Sequence, residues 1–222
     1  MDRYIEKKAE EVKKILEEIT PEGEKKIKDC FSYFLNNKKE MKFIDYYKKT
    51  VLEKDKINFV NFRNQWGLQR ANKDFYVNFN KVFGKEYDKG ISEIREKKDI
   101  VGFYVTYCMP EGENVQGSFC SKLFHTIFPE EFPPVDRNLR NTFKLQNESF
   151  ILAILIIKKG YKEYIQDNEN KFKHIRDVLP NEKFNELKIN KISNIRIIDM
   201  FCRFYARNQI NKKKSRDEGK PH

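Results

Sequence analysis

The part of this chain richest in residues that can do chemistry is Gly117-Ser118-Phe119-Cys120-Ser121-Lys122-Leu123-Phe124-His125, followed by Phe132-Pro133-Pro134-Val135-Asp136-Arg137-Asn138-Leu139-Arg140. A lysine that folding removes from water loses basicity and becomes a nucleophile, so Lys122 is a candidate for covalent chemistry. A carboxylate placed beside developing positive charge stabilises it electrostatically, a role open to Asp136. Arg137 and Arg140 are suited to holding phosphate oxygens. Each residue also has a purely structural reading. Asp136 after two prolines is a good helix N-cap, Lys122 is one of 34 lysines and reads equally as a solvated helix residue, and the arginines can pair with Glu130 and Glu131. Ser121 and His125 are one helical turn apart, as a nucleophile and its base would be, but no acid stands at a suitable spacing to orient the imidazole. His125 therefore reads as a surface or half-buried histidine.

Other chemistry has less support. Glu-x-Lys triplets such as Glu6-Lys7-Lys8, Glu24-Lys25-Lys26, Glu169-Asn170-Lys171 and Glu186-Leu187-Lys188 suit a metal-dependent nuclease, yet none sits on a strand and they arise by chance in a chain this rich in Glu and Lys. Neither a Gly-x-x-x-x-Gly-Lys loop nor a Gly-x-Gly-x-x-Gly motif occurs, which argues against nucleotide-driven chemistry. Cys30, Cys108, Cys120 and Cys202 are scattered singly, without the spacing of a zinc site, an iron–sulfur cluster or a disulfide framework. They read as small buried apolar residues in a reducing compartment, and no cofactor or metal is expected.

The elements that must position these residues read as helices. Tyr4, Ile5, Ala9, Val12, Ile15, Leu16 and Ile19 recur at the helical period from Asp2 to Ile19. Thr20-Pro21 reads as the cap and first residue of a second helix, to about Asn36. Shorter helices or turns are expected over Lys42–Leu52 and Asn58–Trp66. Between Asp74 and Val105 strand and helix periods compete and helix is favoured, with a turn at Gly84–Gly90 and a helix over Ile91–Tyr107. The cluster Met109–Asn114 breaks the chain. Helices then follow at Ser118–Phe128, Arg137–Phe143 with Asp136 as cap, and Asn147–Ile165, which is apolar on nearly all sides and so belongs at the centre of the fold. Polar helical segments are expected at Asn168–Leu179 and Asn181–Leu187. Ser193 caps a last helix carrying Ile195, Ile197, Ile198, Met200, Phe201, Phe204 and Tyr205.

The segment from Gly117 to Arg140 resembles the helix-hairpin-helix DNA glycosylase superfamily, most nearly its 8-oxoguanine glycosylase-like branch. In that family a lysine-bearing helix leads through a short loop into Pro-x-Asp-x-x-x-Arg. Pro134, Asp136 and Arg140 match that form, and Lys122 falls at the place of the catalytic lysine. Lys191–Met200 also looks like the closing helix of such proteins. The resemblance is clearest over residues 100–205. It implies removal of a damaged or modified base from DNA, with Asp136 stabilising the oxocarbenium-like sugar and Lys122 attacking C1′ to give Schiff-base lyase activity. It also implies DNA contacts from Gly117, Ser121, Arg137 and Arg140. A base flipped from the stack needs stacking partners, and Trp66, Phe124, Phe132 and Phe143 are available for that, none more than another. The family's hairpin reads Gly-hydrophobic-Gly before the lysine, whereas here Gly117 is followed by Phe119 and Cys120, and the 14-residue separation of Lys122 from Asp136 is short for the family. The missing glycine favours an alternative of a different class: a non-catalytic helical nucleic-acid-binding or interaction module on the same scaffold.

The expected fold is all-α, two helical lobes at about residues 1–100 and 101–208 around a central cleft, with residues 209–222 as a disordered basic tail. Apolar residues make up 39% of the 222 and aromatic ones 14%, enough for a core despite 36% charged residues. The 45 basic and 34 acidic residues leave a net charge of +11, which favours DNA as partner. Lysine abundance together with Asn, Ile, Phe and Tyr is also what AT-rich codon usage produces. The longest apolar run, Phe150–Ile157, spans eight residues, far short of the roughly 20 that cross a bilayer. With no secretory signal at the N-terminus, a cytoplasmic, intracellular protein is expected.

Overall fold

The structure is a computed structural model that describes residues 1–68, 75, 77, 79, 83–108, 113–179 and 192–218, with the side chains of 113–115 and 210–218 excepted. All regular elements among the described residues are helical. They are α1 (Asp2–Ile19), α2 (Glu24–Leu35), α3 (Lys38–Tyr47), α4 (Phe59–Gln65), α5 (Tyr87–Lys97), α6 (Ile100–Phe103), α7 (Glu113–Ile127), α8 (Arg137–Thr142), α9 (Phe150–Asp167), α10 (Glu169–Val178) and α11 (Asn194–Glu218). Wider π turns extend α3 through Leu52 and α6 through Cys108. None of the described helices is long and apolar enough to cross a membrane.

The amphipathic period of α1 buries Ala9, Val12, Leu16 and Ile19, and that stripe lies along α9 in the most extensive helix pairing of the molecule. Contact this close needs Gly160: a Cβ there would stand 2.8 Å from Val12 Cγ1 and 2.9 Å from the Ala9 carbonyl oxygen. Helix α9 also touches α7, α10 and α11, the central position its all-round apolarity predicts. Around α7 the core is aromatic. Phe119 meets Phe62, Phe75 and Phe79 edge-on, with ring centroids 5.7, 5.1 and 5.0 Å away, the geometry ring quadrupoles prefer.

Several boundaries differ from those read in the sequence. Thr20 does not cap α2. It ends α1, because Pro21 holds it extended (ψ 124°), and α2 begins only at Glu24. The helix expected over Ile91–Tyr107 divides at Lys98, which is left-handed (φ 49°), and Asp99 caps the new start by accepting from the Gly102 N–H at 2.8 Å. Helix α7 starts at Glu113, inside the expected break, and the rest of that break, Met109–Gly112, lies outside the described residues. So does the helical segment expected at Asn181–Leu187. The last helix runs on to Glu218, past residue 209 where a tail without structure was expected. Lysine, arginine and glutamate are good helix formers, and no glycine or proline interrupts them before Gly219.

Because a Cβ at residue 160 has only the α1 backbone and Val12 to push against, Gly160→Ala is expected to lower the unfolding free energy by about 2 kcal/mol. Urea denaturation of the two proteins measures this, and unchanged stability would mean that α1 and α9 separate at little cost.

Candidate functional site

Two side chains of α7 fix the loop that leads to Asp136. The Ser121 hydroxyl donates to the Val135 carbonyl at 2.8 Å, and one turn later His125 Nδ1–H donates to the Phe132 carbonyl at 2.7 Å. Asp136 then caps α8, accepting from the Leu139 N–H at 3.0 Å. The same α7 carries Lys122, so lysine and aspartate are held from one helix. Lys122 Nζ lies 3.9 Å from Asp136 Oδ2, donates to the Trp66 carbonyl at 3.1 Å and sits 5.8 Å from the centre of the Trp66 ring. Lys122 is buried, whereas the Asp136 side chain is 41% exposed. Burial lowers the lysine's pKa, and the charges of Asp136 and Asp199 oppose that shift in part.

Both residues line a cleft of about 850 Å³. Its other walls come from α2 (Tyr33, Phe34), α3 (Lys39, Glu40, Lys42, Phe43), the end of α4 (Asn64–Gly67), α8 (Asn138, Asn141) and α11 (Arg196, Asp199, Arg203, Arg207). Three residues of that wall escaped the reading of the sequence. Arg196 and Asp199 form a buried ion pair, and Arg203 binds Glu40 Oε1 at 2.7 Å, joining α11 to α3. The Arg196 guanidinium also lies 4.7 Å from the Phe43 ring centre. Burial raises the Asp199 pKa and the Arg196 guanidinium opposes it. A signal for this pair existed: two opposite charges three residues apart inside the apolar run Ile195–Cys202.

The other predicted site residues are placed differently. Arg137 is exposed at the start of α8. Arg140 is buried. Its Nε donates to the Leu145 carbonyl at 3.3 Å, its Nη2 reaches the Gln146 carbonyl at 3.1 Å and that of Glu148, and the guanidinium stacks 4.8 Å from the centre of Phe150. It ties down the α8–α9 loop. Gly117 is closely packed. It lies inside α7, where a Cβ would come within 2.4 Å of the Phe150 ring. Ser121 is fully buried and bonded to the loop. The rings considered for stacking also divide: Phe124, Phe132 and Phe143 are core residues, and Trp66 alone of the four lines the cleft.

His125 is fully buried rather than half-exposed. The Tyr47 hydroxyl lies 3.1 Å from its Nε2, so with Nδ1 donating to Phe132 the neutral tautomer accepts from Tyr47. Burial pushes its pKa down to about 3, against the Phe132 hydrogen bond. No family model, curated protein or solved structure matches this chain.

The depressed His125 pKa has a definite linkage sign. The folded state keeps the ring neutral where the unfolded chain protonates near pH 6.5, so the histidine's contribution is complete above that pH. It is lost as pH falls toward 3. Between pH 6.5 and 5 the wild type is expected to lose about 2 kcal/mol more unfolding free energy than His125→Gln. Denaturation curves at the two pH values measure the difference, and parallel losses would mean that the imidazole protonates within the fold.

Proposed function

We propose that this cleft removes a damaged or modified base from DNA, with Lys122 as nucleophile and Asp136 as electrostatic stabiliser, in a fold of two helical lobes related to the helix-hairpin-helix glycosylases. One observation carries the reading: the Lys122 amine and the Asp136 carboxylate, 14 residues apart in sequence, converge at 3.9 Å in a single concave site. The cleft is lined by residues from two separate stretches, 33–67 and 122–209, which supports a cleft between two lobes. Its volume falls in the range of small-molecule pockets, and Trp66 offers an aromatic ring beside the lysine.

The chemistry uses each group for a physical reason. Burial favours the neutral amine of Lys122, whose lone pair is then available. As the C1′–N bond to the base breaks, its electron pair leaves with the base and positive charge grows on the sugar. The part-exposed Asp136 carboxylate lies within reach of that charge. The amine forms the new N–C1′ bond, and the proton lost by the resulting ammonium balances the one gained by the departing base. Opening of the sugar ring leaves a Schiff base, from which strand cleavage by β-elimination can follow.

A second reading, a non-catalytic nucleic-acid-binding or interaction module on the same scaffold, is favoured by the position of Gly117. Its backbone lies within α7 under Phe150 and not in an open hairpin.

Borohydride trapping on oligonucleotides bearing 8-oxoguanine, uracil or an abasic site separates the two. The glycosylase reading expects a covalent adduct with the wild type and none with Lys122→Gln. Asn is as good a helix cap as Asp, so Asp136→Asn is expected to fold, to bind duplex within a few-fold of wild type, and to lose base release. No adduct and no base release despite tight binding would favour the non-catalytic module.

A further inference from the structure

The charges around the cleft are unevenly placed. Among the described residues six cationic side chains line it against three carboxylates, and two of those carboxylates, Glu40 and Asp199, are already joined to Arg203 and Arg196. Those two stand toward the interior, both buried, and only Asp136 of the three is part-exposed. Lys39 and Lys42, by contrast, are exposed, lie one turn apart on α3, and pair with no carboxylate among the described residues.

Joined to α3 by the Glu40–Arg203 ion pair, α11 presents Arg203 and Arg207 one turn apart. Arg207 is held in place. Its Nη1 donates to the Tyr33 hydroxyl at 2.6 Å and its guanidinium lies 4.9 Å from that ring's centre, which leaves its other N–H groups free of this contact. Arg203 is steadied by Glu40 and by the Phe34 ring, 5.8 Å away. Guanidinium groups fixed in this way lose little side-chain freedom on meeting an anion.

We propose that the α3–α11 rim is the surface that grips the phosphate backbone of duplex DNA, with Lys39, Lys42, Arg203 and Arg207 as the contacts. This rests on the reading of the cleft as a site for a flipped nucleotide, which places backbone phosphates at its mouth. The anionic partner is a duplex rather than a compact ligand because the cations come from two separate helices, Lys39 and Lys42 from α3 and Arg203 and Arg207 from α11, each pair spaced one turn along its helix. Exposed lysines also suit such a surface, because they meet phosphates with little desolvation and the affinity they give falls steeply with salt.

The test is binding of a fluorescent duplex carrying a tetrahydrofuran abasic analogue, which has no base to release, measured by anisotropy across a salt series. Lys39 and Lys42 are reversed together (K39E/K42E). The charge-matched control reverses exposed Lys7 and Lys14 on α1, which does not line the cleft (K7E/K14E). The rim variant is expected to bind at least about 10-fold more weakly and to lower the slope of log affinity against log salt by about 2, while the control stays within about 2-fold. Equal losses in both variants, or none in the rim variant, would overturn the proposal, as would tighter wild-type binding to single-stranded RNA than to the duplex. Failure of the cleft reading looks different. A rim-dependent affinity without any Lys122 adduct removes the chemistry and keeps the surface, whereas an adduct with rim-independent affinity does the reverse.

Discussion

The geometry of the site depends on how a buried loop with two prolines satisfies its backbone. Phe132 to Val135 are all buried, and any peptide group there without a partner would cost roughly 1–3 kcal/mol. Pro133 and Pro134 lower the demand by having no N–H. The Pro133 carbonyl accepts from the Val135 N–H at 3.0 Å, and α7 answers the carbonyls of Phe132 and Val135 with His125 and Ser121. These residues are one turn apart on α7, so the loop is fixed in register with Lys122, which lies between them. Asp136 is the next residue after the loop and inherits that position.

His125 extends the same constraint outward. With Nδ1 donating to the loop, Nε2 is left as an acceptor, and the hydroxyl of Tyr47 at the end of α3 fills it. Lys122 likewise reaches the Trp66 carbonyl just beyond α4. One helix therefore draws the α3–α4 region against the Asp136 loop through polar groups that are only satisfied when both sides are in place. Charge is handled separately. The Arg196–Asp199 pair sits where desolvation offsets much of its Coulomb attraction, so its contribution to stability is small. Its charges act on the lysine in opposite directions, Asp199 favouring the ammonium and Arg196 the free amine.

The helical class and most of the helices were legible in the sequence because periodicity and caps are local properties. Asp136 and Ser193 cap as their positions predict, accepting from Leu139 and Arg196. The burial of Lys122 was not legible. Nothing local separates it from 33 other lysines, and what buries it is a carbonyl 56 residues away in sequence. The placement of Arg140 was not legible for a related reason. An arginine that matches a motif looks functional, yet the carbonyls it binds, at residues 145, 146 and 148, belong to a loop whose path no pattern specifies. Gly117 was read as a place where a backbone approaches a ligand. A glycine is equally a place where a ring approaches the backbone, and here Phe150 does so.

That exchange of roles bears on how the site would hold a polyanion. Backbone N–H groups in an open Gly-rich hairpin grip one phosphate at fixed distance, whereas here Gly117 lies inside α7 beneath the Phe150 ring. In the proposed complex the grip falls to side chains at the rim, where Lys39 and Lys42 stay hydrated. Lys122 lies deeper and loses its water. On the proposed reading, attraction and chemistry are therefore carried by lysines of opposite character. Those at the rim must stay charged to attract phosphate, and the one at the floor must lose its charge to attack. A single fold meets both demands only by grading burial from the mouth of the cleft to its floor, which is the gradient from α3 to α7.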